Sequence, residues 1–350
     1  MNRQLHIVCF DTPFPPDCGQ SIEAFEKISA LHKNGVKIHL HCFEHCEQSH
    51  NELNNYCDHI QIHHQKNISE VADSLNKDSF PVLIENIHSP SILHLIKAQQ
   101  RKIILRVRSE NICTQKKNFV HKILPIRLLR PPKEETVSLP PEFLYACISP
   151  RDVEFLQQKH RLTNVEYLPP FISWQTIKSK TGTGNFCLYH ADLSDKANER
   201  MAFWLVEKIF SEIRFPFIIA GKNPSRRIDK LANLYSHVCI ISNPTKREID
   251  ELVQKAHINI VPSFQPGKIY KLLHSLFEGR HCITNEIAVE NTDLARVCHI
   301  ANNTRSKIEI IKKLMNMPFT EHEIEYRRKI LLPEYSNQKN IAILLNWLYK

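Results

Sequence analysis

The feature that most restricts this chain is a repeated alternation. Short apolar runs of strand length are separated by amphipathic stretches of helical period. "LHIVCF" (5–10), "VKIHLHCF" (36–43), "DHIQIHH" (58–64), "PVLIENI" (81–87), "KIILRVR" (102–108) and "YACIS" (145–149) form a first series. "FCLYHA", "FPFIIAG", "HVCIIS", "INIVPS" and "HCITN" form a second, spaced by helical patterns such as "ANERMAFWLVEKIFSEI" and "KREIDELVQKA". Strands that alternate with helices predict parallel sheets with helical crossovers, each sheet covered on both faces. At 350 residues the chain has room for two such doubly wound α/β domains, each with its own core.

The boundary falls in "LPPFISWQTIKSKTGTGN" (168–185), where adjacent prolines precede a mixture of Lys, Ser, Thr and Gly. The expected organisation is an N-terminal domain over 1–170, a linker over 171–185, a C-terminal domain over 186–335 and a terminal helix over 336–350. In "NIAILLNWLYK", Ile341, Leu344, Leu345 and Leu348 recur at helical spacing, so this helix is expected to pack one apolar face back on the N-terminal domain. The proline-rich "PIRLLRPPKEETVSLPPEF" (125–143) reads as a loop or short helix.

Several classes are excluded on composition. No apolar run approaches the ~20 residues of a membrane-spanning helix. The apolar patch of "MNRQLHIVCFDTPFPP" is broken by His6 and stopped by Asp11 with no small-residue cleavage site, so it reads as a first buried strand and not as a signal peptide. The 11 cysteines are odd in number, scattered and without any C-x-x-C pair. Only "HCFEHCEQSH", with Cys42, His45, Cys46 and His50, clusters ligand types, and it lacks a second pair to complete a tetrahedral site. Structural thiols of a reducing cytoplasm are the expectation. The net charge of +9 is spread over short basic runs flanked by acids or apolar residues, unlike a nucleic-acid arm. No nucleic-acid partner is expected, whereas an anionic ligand or membrane face suits the excess.

In doubly wound sheets, ligands bind outside the carboxyl ends of the strands. The stretch "DTPFPPDCGQSIEAF" (11–25) lies between the first strand and the first helix, with three prolines and one glycine in its first nine residues. Gly19 allows close backbone approach to a ligand, and the helix that follows offers N–H groups to an anion. A rigid turn without a ligand fits the same residues.

In order along the chain, the "PPDCG" turn, "ACISPRDVEFL", "LPPFI", "FIIAGKNP" and "AHINIVPSFQPGKIYKLLHSLFEGRHCITN" resemble the nucleotide-sugar glycosyltransferases of family 4. The resemblance covers nearly the whole chain. It implies a GT-B fold, in which two Rossmann-like doubly wound domains face across a cleft, the N-terminal one receiving the acceptor and the C-terminal one binding the nucleotide-sugar. It also implies no metal and no other cofactor, and the sequence has no D-x-D triplet to hold a catalytic cation. Without a metal, the diphosphate leaving group needs cationic side chains and helix N-termini aimed at it.

The resemblance therefore places at the donor Gly19 and Gln20, Gly221 and Lys222 of "AGKNPS", and Gly267, Lys268 and Lys271 of "GKIYKLL". Each also has a plain reading: Gly221 and Lys222 as a strand end, with Pro224 opening the next helix, and the lysines as solvated helix residues. Family 4 enzymes commonly carry two glutamates eight positions apart. Here those positions read Pro266 and His274, with Gln265 the nearest polar substitute for the first. His274 can hydrogen-bond a ribose hydroxyl without supplying a carboxylate's charge, and it equally suits a core histidine.

His88 in "IENIHSP" follows a strand where family members keep a histidine near the transferring sugar, and it is the catalytic candidate. Arg106, Arg108 and Asn111 of "ILRVRSEN" are expected on the acceptor side. Arg108 stands where a histidine is usual, and an arginine binds anions but does not shuttle protons. The expected activity is transfer of a sugar, with retention, from a UDP- or GDP-activated donor to a saccharide or glycolipid acceptor in cell-surface polysaccharide synthesis. The expected location is the cytoplasm, with peripheral contact at the inner face of the plasma membrane. A non-catalytic member that partners an active transferase, and a GT-B sugar-nucleotide epimerase, are the alternatives.

Overall fold

Strict alternation of side chains along each strand sends odd and even residues to opposite faces of a sheet, and both faces are apolar here. The structure, a computed structural model, describes residues 3–10, 12–43, 52–63, 68–85, 91–96, 101–107, 139–263, 269–290 and 292–350. It divides into two compact units, Met1–Phe171 with Asn337–Lys350, and Ile172–Ser336.

Unit 1 holds β1 (Arg3–Cys9), β2 (Val36–Phe43), β3 (His59–His63), β4 (Val82–Glu85), β5 (Ile103–Val107), β6 (Leu144–Cys147) and β7 (Val165–Tyr167). They form one parallel sheet in the order β3-β2-β1-β4-β5-β6-β7. Leu5, Ile7, Leu83 and Ile104 face the helices Gly19–Lys33 and Asn337–Tyr349. Val8, Val82, Ile84 and Leu105 face the other way, into a core shared with the helices Ile68–Leu75, Ser91–Leu95 and Pro150–His160. The terminal helix buries Ile341, Leu344 and Leu348, while Leu345 is only partly covered. Tyr349 donates its hydroxyl to the Gln4 carbonyl at 2.9 Å.

The first helix is secured at both ends. At its start Ser21 Oγ accepts from the amides of Asp17 and Cys18, both at 3.1 Å, and donates to the Cys18 carbonyl. At its finish Gly35 takes a left-handed φ of 73° that a β-carbon would disfavour.

Three buried imidazoles cross β1, β2 and β3 in a chain. His6 Nε2 donates to the Asp78 carboxylate at 3.0 Å, so neutral His6 accepts at Nδ1 from His41 Nε2 at 2.9 Å. His41 Nδ1 then accepts from His63 Nε2 at 3.3 Å, and His63 Nδ1 has no partner among the described residues. The chain is complete with every ring neutral. Burial accordingly holds all three below the usual histidine range, His41 at about 3.

Unit 2 holds β8 (Cys187–Asp192), β9 (Phe217–Lys222), β10 (Val238–Ser242), β11 (Ile258–Ile260), β12 (His281–Thr284) and β13 (His299–Ile300). Its parallel order, β10-β9-β8-β11-β12-β13, repeats that of the first six strands of unit 1. Cys187, Tyr189, Phe217 and Ile219 pack against the helices Lys196–Leu205, Arg226–Ala232 and Thr304–Leu314. Leu188 and Ala220 pack on the opposite face with the helix Lys246–Lys255. β7 and β13 were not anticipated, because runs of three and two residues have no period to read. Among the described residues, no helix is long and apolar enough to cross a membrane.

Candidate functional site

In each unit the strand order reverses beside its first strand, between β1 and β4 and between β8 and β11. That is where a doubly wound sheet opens to a ligand. In unit 2, β8 and β9 run in register so that Asp192 lies opposite Lys222, Ala191 opposite Gly221 and His190 opposite Ala220. Alternation then puts His190, Asp192 and Lys222 on the face that carries Leu188 and Ala220, toward the helices Lys246–Lys255 and Tyr270–Glu278.

The Asp192 carboxylate accepts from the Ser194 hydroxyl at 2.6 Å and from the Ser194 amide at 2.9 Å. The Ser194 hydroxyl first, then its amide and the charges of Lys222 and Lys271, hold this carboxyl below its usual range. Asp192, Lys222 and Lys271 are all exposed, so one anion is flanked by two cations at the open edge of the sheet. Beneath them, burial lowers the pKa of His190 well below the ordinary value, with His274 and Lys271 acting in the same direction, and its Nε2 has no partner among the described residues. A neutral imidazole with an unused nitrogen can hydrogen-bond a ligand hydroxyl or phosphate oxygen.

His274 is buried, at 6% exposure. Its ring stacks on Trp174 at 4.7 Å and meets His190 edge-on at 5.8 Å. Nε2 lies 2.8 Å from Asp250 Oδ1, outside hydrogen-bond geometry. Its ring lies between Trp174 and His190 with Nε2 facing Asp250, which places it beside His190 under the expected donor site.

Gly221 has a packing reason independent of any ligand. A β-carbon there would lie 2.0 Å from the Ala191 carbonyl oxygen and 2.9 Å from Leu193 Cγ. The strand ends are also stitched together by Asn223 and Asn243, both in left-handed conformation, through Asn223 N donating to Asn243 Oδ1 and Asn243 N donating to the Gly221 carbonyl, each at 2.8 Å.

In unit 1, Gly19 and Gln20 open the helix Gly19–Lys33 directly after the proline turn, and the positive-φ glycines described are Gly35 and Gly182, not Gly19. Arg106 departs from its expected acceptor role. Alternation along β5 sends it, with Ile104, to the face covered by that helix, where it is 1% exposed. It donates to Glu23 Oε1 at 2.6 Å and to the Leu168 carbonyl at 2.6 Å, and Lys27 pairs with Glu85 at 2.5 Å and with Glu23 at 3.7 Å. Two cations and two carboxylates thus balance inside the unit, and Arg106 Nη2 has no partner among the described residues.

His88, Arg108, Asn111, Gln265, Gly267 and Lys268 lie outside the described residues, as do His45, Cys46 and His50. Gly221, Lys222, Lys271 and His274 converge at one edge of unit 2, whereas Gly19, Gln20 and Arg106 belong to unit 1. Sequence reasoning missed Asp192, Ser194, His190 and Trp174. The signal was present, since "LYHAD" ends the first strand of the second series, where the carboxyl-end rule points.

No protein-family model and no curated protein matches this chain. Among solved structures it is similar to S. aureus TarM, a mutant in complex with fondaparinux, α-GlcNAc-glycerol and UDP, at 8% identity over 99% of this chain and 100% of that one, with a TM-score of 0.66. It is similar to WaaG, a glycosyltransferase involved in lipopolysaccharide biosynthesis, at 11% identity over 99% of both chains and a TM-score of 0.63. It is also similar to an α-glucosyltransferase in complex with UDP and a 13-mer DNA containing a HMU base, at 13% identity over 100% of both chains and a TM-score of 0.61. At such identities the likeness speaks for the fold alone. With two parallel α/β sheets and this full-length similarity, the chain has the GT-B fold.

Proposed function

We propose that the protein is a glycosyltransferase of the family 4 type that moves a hexose from a UDP- or GDP-sugar to a saccharide or glycolipid acceptor with retention. The observation that carries this reading is Lys222 set opposite Asp192 by the register of β8 and β9 at the carboxyl edge of unit 2, where its strand order reverses, with Lys271 near enough to act on the same carboxylate. As the glycosidic bond to the donor breaks, negative charge builds on the diphosphate. Two lysines at this edge offset that charge without a catalytic metal. Asp192 carries the counter-charge to both ammonium groups before the donor arrives, and His190 Nε2 lies buried beneath them without a partner among the described residues. The family resemblance adds Gly19, Gln20, Gly267 and Lys268 as candidate donor contacts and His88 as the candidate group for the transferring sugar, each a proposal for mutagenesis.

The setting proposed is cell-surface polysaccharide assembly at the cytoplasmic face of the membrane. A saccharide acceptor is favoured over DNA because the basic residues are dispersed among acids along the chain. The DNA in one similar structure nonetheless puts DNA among the acceptors to be tested.

A thermal-shift panel of UDP, GDP, CMP and dTDP against their nucleosides tests the donor site. The diphosphate of the donor base should raise the melting temperature well beyond its nucleoside, since ligand at a hundredfold excess over Kd adds ~2.7 kcal/mol. A panel with no shift, or with equal shifts for nucleoside and diphosphate, overturns the reading. Release of nucleotide from the matching sugar donor with saccharide, glycolipid or DNA then identifies the acceptor class.

A further inference from the structure

We propose that His281, His299 and Glu323 form a site for one divalent transition-metal ion of the zinc class, at the amino end of the unit 2 sheet. His281 and His299 are the first residues of β12 and β13, and Glu323 lies in the first turn of the helix Glu321–Glu334. Lys222 and Lys271 mark the carboxyl end of the same sheet, so this site lies apart from the proposed donor site and does not depend on it.

The three ligand atoms lie within 4.8 Å of one another. His281 Nδ1 is 3.3 Å from His299 Nε2 and 3.6 Å from Glu323 Oε1. Tetrahedral zinc, with bonds of ~2.0–2.1 Å, sets its ligand atoms about 3.3–3.4 Å apart. Both separations from His281 Nδ1 are close to this value, and side-chain rotation of His299 or Glu323 brings the third, bounded at 4.8 Å, to it, with a water completing the fourth position.

The surrounding groups orient these atoms as metal sites require. His281 Nε2 donates to the Met317 carbonyl at 3.0 Å, which fixes the tautomer and leaves the Nδ1 lone pair facing the other two ligands. Glu323 Oε2 is held by the Thr320 amide at 2.8 Å and the Thr320 hydroxyl at 3.0 Å, so Oε1 is the oxygen turned to His281. His299 presents its Nε2 lone pair once its ring proton sits on Nδ1. The ion then replaces the hydrogen bond between the two rings.

His257 packs edge-on to His281 at 5.1 Å but is committed elsewhere, through Nε2 to the Leu314 carbonyl at 2.7 Å and Nδ1 to the Gly184 amide at 3.1 Å. The opposing charges are Lys313, which acts on His299, and Arg327, whose guanidinium is directed at the carbonyls of Leu276 and Gly279 and lies 4.5 Å over the Phe319 ring. Glu323 offsets them. Two imidazoles and one carboxylate are donors that suit Zn²⁺ and its transition-metal neighbours over Mg²⁺ or Ca²⁺. An ion here ties two short strands to the helix Glu321–Glu334, a stabilising role.

The test uses the full chain stripped with a chelator, then titrated with Zn²⁺ by calorimetry and with Co²⁺ by visible absorption. Binding of one equivalent, a higher melting temperature and the visible bands of four-coordinate Co²⁺ are expected. Both His299→Ala and Glu323→Gln should weaken the ion at least about tenfold, since even outer partners of metal ligands are worth that much. Glu323→Gln retains the helix cap, because Gln serves a capping box as well as Glu, and this keeps the fold intact. Absence of saturable Zn²⁺ uptake overturns the proposal. So does uptake of unchanged affinity and stoichiometry in both variants, which would place the ion among other histidines.

Discussion

Acidification should weaken unit 1 through its imidazole chain. His41 on β2 is 2% exposed and faces His6 on β1, His63 on β3 and His39 on its own strand. Burial, the largest cause, followed by these three rings, holds it at about 3, and only the more distant Asp78 acts to raise it. The unfolded chain takes up the proton near 6.5, the folded chain near 3. Stability from the neutral ring is therefore fully present above the unfolded value and is lost as pH falls below it, until the folded value is reached. Each pH unit in that window is worth about 1.4 kcal/mol, so between neutral pH and pH 5 His41 alone removes about 2 kcal/mol. His6 and His63, also lowered by burial, act with the same sign.

Urea unfolding at pH 7.5, 6.5, 5.5 and 5.0 measures the slope, with His41→Gln as the comparison. The variant starts lower, because His6 and His63 lose their shared partner, but its slope should be shallower by about one proton. Nitrogen-15 shifts of the His41 ring should report a neutral imidazole at pH 5. A ring that titrates between pH 6 and 7, or equal slopes in the two proteins, would refute the reasoning.

Gly221→Ala drives a β-carbon against the Ala191 carbonyl, a backbone atom of β8 that cannot move alone, so a loss of about 3 kcal/mol is expected in urea melts, and unchanged stability would count against the packing account. Arg106→Met leaves Glu23 buried beside Lys27 only, and should cost roughly 3–5 kcal/mol, seen as a lower melting temperature with no selective loss of acceptor affinity. Lys222→Ala and Lys271→Ala should each weaken a nucleoside diphosphate by about 10-fold or more, one charge-assisted hydrogen bond, while sparing the nucleoside. Calorimetry showing equal losses for both ligands would assign the lysines to the base or the fold.

The strand–helix alternation was legible because burial on both faces of a parallel sheet writes itself as short continuous apolar runs. Runs such as "VKIHLHCF" and "FPFIIAG" became β2 and β9 with boundaries within two residues. Around the candidate site, "AGKNPS" and "KIYKLLH" marked the strand end and helix that carry Gly221, Lys222, Lys271 and His274. Asp192 escaped notice because an aspartate after an apolar run looks like any turn residue until the register sets it opposite Lys222. Arg106 shows the converse: a charge at a strand end reads as ligand-facing, and only the helix laid over it shows that Glu23 pairs with its guanidinium, with Lys27 on the same carboxylate.

What the sequence determined by itself is therefore what depends on near neighbours in the chain: the period of burial, the turn residues, and the class of fold that strands alternating with helices impose. What only the tertiary structure decided is which distant residues share a face. Arg106 meets Glu23 from 83 positions away and His281 meets Glu323 from 42, and no local pattern records such meetings. Strand order and register choose them, because shifting β5 or β12 by a single residue would turn Arg106 or His281 to the opposite face.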